Sequence, residues 1–420
     1  MCLSPIIMDC WVDPQKEIQQ ESEPAMKPIH FMIPILLLLL MLLMTGCWDR
    51  KELNDQAIIT AWGFDLNEDK MFTGTAQFAI PSKLGVGEGK SQGKAFFTVS
   101  GNGENMYDAS KNMRLKLSRP WFEGHSGIVL IGETLAKHGL ANILDELGRD
   151  PTVRLRRDIM LLKGGSVQDF LELTYPLESL SADAIVKMHE TAGLKANHTL
   201  RNFYMAAESE ESSPFLPVIE MTGSSSEGSS ELTDPKMKLW GFAIFNKDSR
   251  LAGYLPMNKG YFQQWIKEQL KSIIITVDIP GEKGNVVVEA NHLKRKIVAS
   301  PQGTKVHFLV TLSGKGKIRE NNTRLDLAVS KNIALVQNEL NTQAGTYVHQ
   351  IIQEVQPLGT DIFGFGEAFH RQHPYTWKTL KKEWPEKFAK AEVSVSLNLQ
   401  IQETGLVGAP YILKKREVKK

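Results

Sequence analysis

The sequence predicts an α+β protein of more than one domain, with mixed or antiparallel sheets packed against helices. Three observations carry this reading. Val393, Val395, Leu397, Leu399 and Ile401 alternate with Ser394, Ser396, Asn398, Gln400 and Gln402. This is the period-two pattern of a strand with one buried and one polar face, as mixed and antiparallel sheets use. Ile333, Val336, Leu340, Ala344, Val348, Ile351 and Val355 recur at helical spacing between Ser330 and Val355, which predicts one long amphipathic helix. Elsewhere strand and helix patterns come in clusters without regular alternation, which favours α+β over a doubly wound sheet.

The chain has 420 residues, of which 42% are hydrophobic and 23% charged, with a formal net charge of +1. That is ordinary for folded domains and long enough for two or three of them. It carries no global basic excess of the kind that nucleic acid would require.

The first 47 residues decide attachment. The apolar run from Phe31 to Met44 matches a signal-peptide core and is shorter than the roughly 20 residues a membrane-spanning helix needs. It ends in Met44, the small residues Thr45 and Gly46, and then Cys47. This is the pattern of a bacterial lipoprotein signal, which predicts cleavage before Cys47 and acyl chains on its sulfur. Each buried methylene contributes about 0.8 kcal/mol, and two chains anchor stably where one does not. The other cysteines, Cys2 and Cys10, lie upstream, so the processed chain has no intrachain disulfide. Met1 to Ala25 is acidic where a signal should begin positively charged, and Met26-Lys27 is the more natural start. Residues 1–46 hold two lysines (Lys16, Lys27) and five acidic residues, so removing them shifts the formal charge from +1 to +4.

Strand patterns follow over Ala57 to Asp65, Met71 to Ile80 and Ala95 to Val99. Met106, Ala109, Met113 and Leu117 fall on one helix face. Ile128 to Ile131 reads as a short buried strand, and Leu140, Ile143, Leu144 and Leu147 as a helix. Arg154 to Lys163 is expected to return to strand. Ser166 is placed to cap a helix over Val167 to Leu173, with further helices over Ala182 to Thr191 and Leu200 to Glu208. Thr222 to Thr233 is rich in Ser, Gly and Glu, as in a linker or exposed loop. A hairpin is then expected over Leu239 to Phe245 and Leu251 to Leu255. After it come a helix over Tyr261 to Leu270, strands over Ile273 to Ile279, Val286 to Leu293 and Val306 to Leu312, and the long helix. Pro357 and Gly359 stop that helix, and Thr360 is placed to cap another carrying Phe363, Phe365, Ala368 and Phe369. The expected organisation is a leader and signal over 1–46, an α+β region over 47–221 long enough for two subdomains, a linker or loop over 222–235, a C-terminal α+β domain over 236–405, and a basic tail over 406–420.

Chemical motifs are weak. Gly124-His125-Ser126-Gly127-Ile128 lacks the closing glycine and the leading strand of a nucleophile elbow. His370 and His373 share a helix face with Glu367, but Pro374 follows at once and no thiolate is at hand, so they make a poor metal set. His189-Glu190 has no second histidine at zinc-protease spacing. Gly85 to Gly89 and Gly101-Asn102-Gly103 read as turns. Phe363-Gly364-Phe365-Gly366-Glu367 reads as buried packing with close backbone approach at its glycines. Trp62, Trp121, Trp240, Trp265, Trp377 and Trp384 are scattered, as several cores would scatter them. The basic tail, Lys414-Lys415-Arg416 and Lys419-Lys420, reads as a solvated end, with adhesion to anionic lipid as the alternative.

The stretch Gly46-Cys47-Trp48-Asp49-Arg50-Lys51-Glu52-Leu53-Asn54-Asp55 resembles the mature amino terminus of the C-subunit lipoproteins of spore germinant receptors, the Ger(x)C family. Glu104 to Leu117, Gly124-His125, Ile128 to Glu133 and Gly139 to Pro151 are similar to its N-terminal region. Trp240 to Phe245 and Leu251 to Leu255 resemble the opening of its C-terminal domain. Gly359-Thr360-Asp361-Ile362-Phe363-Gly364-Phe365-Gly366, then His370-Arg371, Pro374, Trp377 and Trp384, form its most specific signature. Met44, the acidic leader and Gly260-Tyr261 depart from the family pattern.

The resemblance implies a non-enzymatic lipoprotein without a cofactor, on the outer face of the spore inner membrane. It would be tied to the bilayer through diacylglyceryl-Cys47, with palmitate-type acyl chains, and would act with membrane A and B subunits to trigger nutrient-induced germination. It further implies three α+β domains of unusual fold. A second reading is a lipid-anchored solute-binding protein that grips a nutrient directly, which would show two similar α/β lobes. An envelope hydrolase would need a nucleophile or metal constellation.

Overall fold

The computed structural model describes residues 52, 55–84, 93–194, 198–222, 237–303, 305–405, 418 and 419. Cys47, the leader, Gly85 to Gly89, residues 223–236 and Lys414-Lys415-Arg416 lie outside the described residues. Asn54–Lys420 forms one compact unit, and every core cluster described below lies within it.

The first sheet has nine strands: β1 (Ala57–Leu66), β2 (Phe72–Ala79), β3 (Phe96–Gly103), β4 (Trp121–Phe122), β5 (Ile128–Gly132), β6 (Asp158–Lys163), β7 (Phe215–Met221), β8 (Met237–Phe245) and β9 (Leu251–Pro256). Their order is β3-β2-β1-β5-β6-β7-β8-β9, with the short β4 paired to the start of β1. Strands β1, β5, β6 and β7 run parallel, and antiparallel strands flank them on both sides. The helices of this half are α1 (Pro81–Leu84), α2 (Met106–Arg114), α3 (Glu133–His138), α4 (Ala141–Arg149), α5 (Val167–Leu171), α6 (Ser181–Thr191) and α7 (Leu200–Glu208).

The parallel centre explains its own sequence. A strand covered on both faces must be apolar at every position, and Ile128, Val129, Leu130 and Ile131 are all buried. Val129, Ile131, Ile159 and Leu161 meet Leu135, Ile143, Leu147 and Phe203 on one face. Ile128, Leu130, Met160 and Leu162 meet Val167, Phe170, Leu171 and Ile185 on the other.

After α8 (Met257–Ile266) comes the second sheet, in the order β10 (Ser272–Asp278), β11 (Asn285–Gln302), β12 (Lys305–Asn321), β13 (Glu392–Glu403). The first three strands form an antiparallel meander, and β13 returns parallel to β12. Helix α9 (Ser330–Val355), then α10 (Phe365–Gln372), α11 (Pro374–Leu380) and α12 (Trp384–Ala389), connect β12 to β13. Val336, Leu340, Val348, Ile351 and Ile352 of α9 join Val288, Val310, Leu312 and the aromatic cluster Phe308, Phe363, Phe365, Phe369 and Trp384 in one core. Exposed sheet edges invite further pairing, and side chains of α9 occupy part of both. Asn341 accepts from Leu399 N at 2.8 Å and donates to Leu399 O at 3.2 Å. Gln337 accepts from Ile401 N at 3.0 Å, and Gln343 brackets Asp278 of β10.

Several local expectations are corrected. Arg154 to Arg157 is a turn, and the strand starts at Asp158. The carbonyls of Leu155 and Arg157 instead serve the first N–H groups of α7, on Arg201 and Leu200, which a ladder would have consumed. Gly101 and Gly103 lie in β3, where a Cβ would meet the backbone of Ala109 at 2.3 and 2.4 Å; α2 packs directly on them. Strands β11 and β12 run well past Leu293 and Leu312, because a bulge between Asn291 and Lys294 restarts the alternation. Inward positions shift there from Val286, Val288 and Ala290 to Ile297 and Ala299. Strand β7 was concealed by Pro217, which precedes the residues that pair with β6. Lys419 is not a solvated end: its backbone pairs with Arg324 and Asp326, and its ammonium with Glu282. Strands β7 and β8, on either side of residues 223–236, are antiparallel neighbours in one sheet.

Leu340→Ala should cost about 2–5 kcal/mol, as a buried leucine truncated in a close-packed core does. Ile274→Ala, on the uncovered face of β10 where the side chain is 68% exposed, should stay within about 0.5 kcal/mol. Urea denaturation of the two variants checks both values.

Candidate functional site

The signature segment forms a tightly tied loop. Asp361 is 1% exposed, and its carboxylate accepts from Phe363 N at 3.0 Å, Gly364 N at 2.9 Å, Gly366 N at 2.7 Å and Trp384 Nε1 at 3.2 Å. The loop turns at Gly364, with φ 80°, a conformation open to glycine at little cost. Gly364 caps α10, and Thr360 does not; the Thr360 hydroxyl is buried without a partner among the described residues. Burial pushes the Asp361 carboxyl up, against the backbone N–H groups of Gly366 and Phe365 and the charge of Lys267.

This loop binds the two halves together. Ser213 N donates to Asp361 O at 2.8 Å. A Cβ on Gly366 would lie 2.2 Å from the Glu211 carbonyl, so only glycine admits that approach. His370 hydrogen-bonds Glu211, and Lys381 pairs with Glu210 at 2.8 Å. Lys247 donates to the carbonyls of Ser209 and Ser212.

Beside the loop lies a cleft of about 480 Å³, lined from one side by His198, Asn202 and Ser212 and from the other by Lys267, Gln269 and Glu367. Lys267 pairs with Glu367 at 2.9 Å. Burial acts to raise the Glu367 carboxyl, but the charge and hydrogen bond of Lys267, with Arg295 behind them, outweigh it and hold it below the usual range. His198 Nε2 and Gln269 Oε1 are buried without hydrogen-bond partners among the described residues. The cleft is thus lined by both polar and apolar side chains, with its ion pair at one wall.

The other residues singled out in the sequence scatter. His370 turns to Glu211, while His373 bonds the Ala299 carbonyl at 2.9 Å. Among the described residues no group of three His, Cys, Asp or Glu side chains converges to hold a metal. Ser126 Oγ is buried without a partner among the described residues. Phe363 and Phe365 are fully buried and stack on each other and on Phe308, as the reading of buried packing expects. Among the described residues no helix is long and apolar enough to cross a membrane. The pairing of His198 with His189 was not visible in the sequence. Their rings meet edge to face at 5.1 Å, and the only signal was that His198 precedes the Thr199 cap of α7.

Burial pulls the His198 imidazole down to about 3, with His189 adding to it, and burial alone pulls His189 down to about 4. Both are neutral in the fold, whereas in the unfolded chain each takes a proton near pH 6.5. Their contribution to stability is whole above about pH 6.5 and is lost as the pH falls through about 4 and then about 3. Asp158 acts with the opposite sign. Burial and Glu190 raise it to about 6, so its cost disappears on acidification. His198→Phe should flatten the fall of the urea midpoint between about pH 6.5 and 4, leaving a shallower slope than the parent's. Parallel curves would contradict this.

Comparison with known proteins places this architecture. Residues 49–221 match the spore germination protein N-terminal domain, and residues 240–405 match the family described as spore germination B3/GerAC like, C-terminal. Spore germination protein KC of Bacillus subtilis (strain 168) is 24% identical over 396 residues, covering 90% of this chain and 97% of that one. The putative spore germination protein YfkR of the same organism is 27% identical over 377 residues, covering 89% and 96%. The crystal structure of the GerBC protein shares the fold with a TM-score of 0.54 at 16% identity, covering 81% of this chain and 96% of that chain. The chain belongs to the Ger(x)C family of spore germination proteins, the C subunits of germinant receptors.

Proposed function

We propose that this protein is the non-enzymatic, lipid-anchored C subunit of a nutrient germinant receptor. It works with membrane A and B subunits and is held by diacylglyceryl-Cys47 on the outer face of the spore inner membrane. The observation that carries this reading is the family match on both sides of residues 223–236, joined to a lipoprotein signal that ends at Cys47. The relatives' printed names, which include spore germination proteins B3 and A3 of Bacillus subtilis, are in keeping with a receptor of several parts. Lipid confines the body to a thin layer, which raises its effective concentration at a membrane partner without any new contact.

In this reading residues 1–46 are removed, 47–221 and 236–405 make the working body, and 222–235 and 406–420 are connecting and terminal segments. Cys47→Ala should abolish or strongly slow nutrient-triggered germination while leaving the thermal midpoint of the body unchanged. Normal germination of spores carrying that variant would overturn the anchor's role.

One observation favours the second reading, direct capture of a nutrient: a cleft beside Asp361 is lined by the polar residues His198, Asn202, Ser212, Lys267, Gln269 and Glu367. Calorimetric titration of the chain with amino acids and sugars separates the two. The subunit reading expects no heat at micromolar concentration, and micromolar binding would replace scaffold with sensor.

A further inference from the structure

We propose that the end of the first sheet where β1 begins is a docking face for an anionic bilayer, and that it sets the orientation of the tethered body. The inference builds on the anchoring of Cys47 and adds to it a surface on the folded body.

Two loops make this face. The first, Arg114-Leu115-Lys116-Leu117-Ser118-Arg119-Pro120, joins α2 to β4; the second, Pro151-Thr152-Val153-Arg154-Leu155-Arg156-Arg157, leads into β6. The first contains no acidic residue, and the second is flanked by Asp150 and Asp158. The ladders bring them to one end. Ala57 N donates to Pro120 O at 2.9 Å, and Ala57 pairs with Trp121. Farther along, Ala61 pairs with Ile128, and Ile128 with Asp158. Arg114, Trp121, Asp150 and Val153 line one small pocket between the loops, so the two are neighbours.

The loops expose what an interfacial surface needs. Leu115 is 81% exposed and Leu155 41%, and Lys116, Arg154 and Arg156 are exposed around them. Apolar side chains ringed by cations bind the headgroup boundary of an anionic membrane. Three carboxylates line the pocket between the loops: Glu123 pairs with the buried Arg157 at 3.4 Å, Asp150 accepts from Thr152, and Glu146 lies beside them, set back from the exposed cations of the loops. The open face of the second sheet is also basic; there Lys305, Lys317 and Arg319 are each paired with a glutamate, while Lys294, Lys296 and Lys315 are exposed and serve as the control for non-specific attraction.

Chain length selects the bilayer as occupant. Nine residues lie between Cys47 and Ala57, and the ten steps from one to the other, fully extended, reach about 35 Å. Whatever path they take, a lipid on Cys47 holds the start of β1 within that distance of the membrane, and the two loops border that end of the sheet.

The test uses residues 48–420 without lipid, which contain every described core cluster. It should sediment with vesicles of phosphatidylcholine containing phosphatidylglycerol, should not sediment with phosphatidylcholine alone, and should be released at high salt. Each cation near an anionic surface contributes about 1 kcal/mol. The triple variant Lys116→Glu, Arg154→Glu and Arg156→Glu should therefore bind at least about 100-fold more weakly. Leu115→Ser should weaken binding while leaving the salt dependence in place. The control Lys294→Glu, Lys296→Glu and Lys315→Glu, on the open sheet face, should bind as the parent does, all chains unfolding at the same temperature. Equal affinity for both vesicle types, equal loss in the control, or retention only on a membrane protein with an acidic surface would overturn the proposal. Because this chain carries no acyl group, failure here is distinct from failure of Cys47 lipidation, which mass spectrometry of the full chain reads separately.

Discussion

The Asp361 carboxylate is the point on which the two halves of this molecule depend. Taking a carboxylate out of water is costly unless hydrogen bonds replace its hydration, and three backbone N–H groups and an indole N–H do so here. To supply them the backbone must turn through Gly364. That turn sets Phe363 and Phe365 into the aromatic core around Phe308 and lays Gly366 against the Glu211 carbonyl. The same residue's own carbonyl receives Ser213 N. One buried charge thus orders a loop, fills the core of the second sheet, and fixes the strap of residues 209–213 that descends from the first. Removing it would strand several donors in a dry interior, where each unmet group costs about 1–3 kcal/mol.

Much of this was legible in the sequence wherever periodicity alone decides structure. Helix α9 begins and ends at the expected Ser330 and Val355, because its apolar stripe is long and Pro357 and Gly359 close it. Strand β13 follows its alternation within a residue at each end. The close packing at Phe363 to Gly366 was readable from glycines set between large rings. What stayed hidden depended on partners distant in sequence. The bulge near His292, the strand containing Pro217, and the turn at Arg154 to Arg157 are each decided by a neighbour's hydrogen bonds rather than by local pattern. The Ser- and Gly-rich residues 222–235 fall between the two family matches, which end at 221 and begin at 240, while the strands on either side pair within one sheet, a contact no local composition reveals. The cleft was illegible altogether, since His198, Lys267 and Glu367 meet only after both sheets have formed.

The body that results suits a part held in place by others. Its strand edges at β10 and β13 are occupied by side-chain amides of α9, which discourages pairing with stray chains. Its cleft is lined by polar and apolar side chains in similar measure. The loops beside the start of β1 are basic and apolar together, where the chain from Cys47 enters the fold. In the proposed arrangement a lipid on Cys47 would supply retention and a matching surface on the body would supply orientation.

The account turns on what is attached to a single sulfur. Mass spectrometry of the mature protein recovered from spore inner membranes should find an amino terminus at residue 47 and diacylglycerol in thioether linkage on that cysteine. An unmodified thiol there, or a mature chain that begins elsewhere and leaves membranes at neutral pH without detergent, would contradict it.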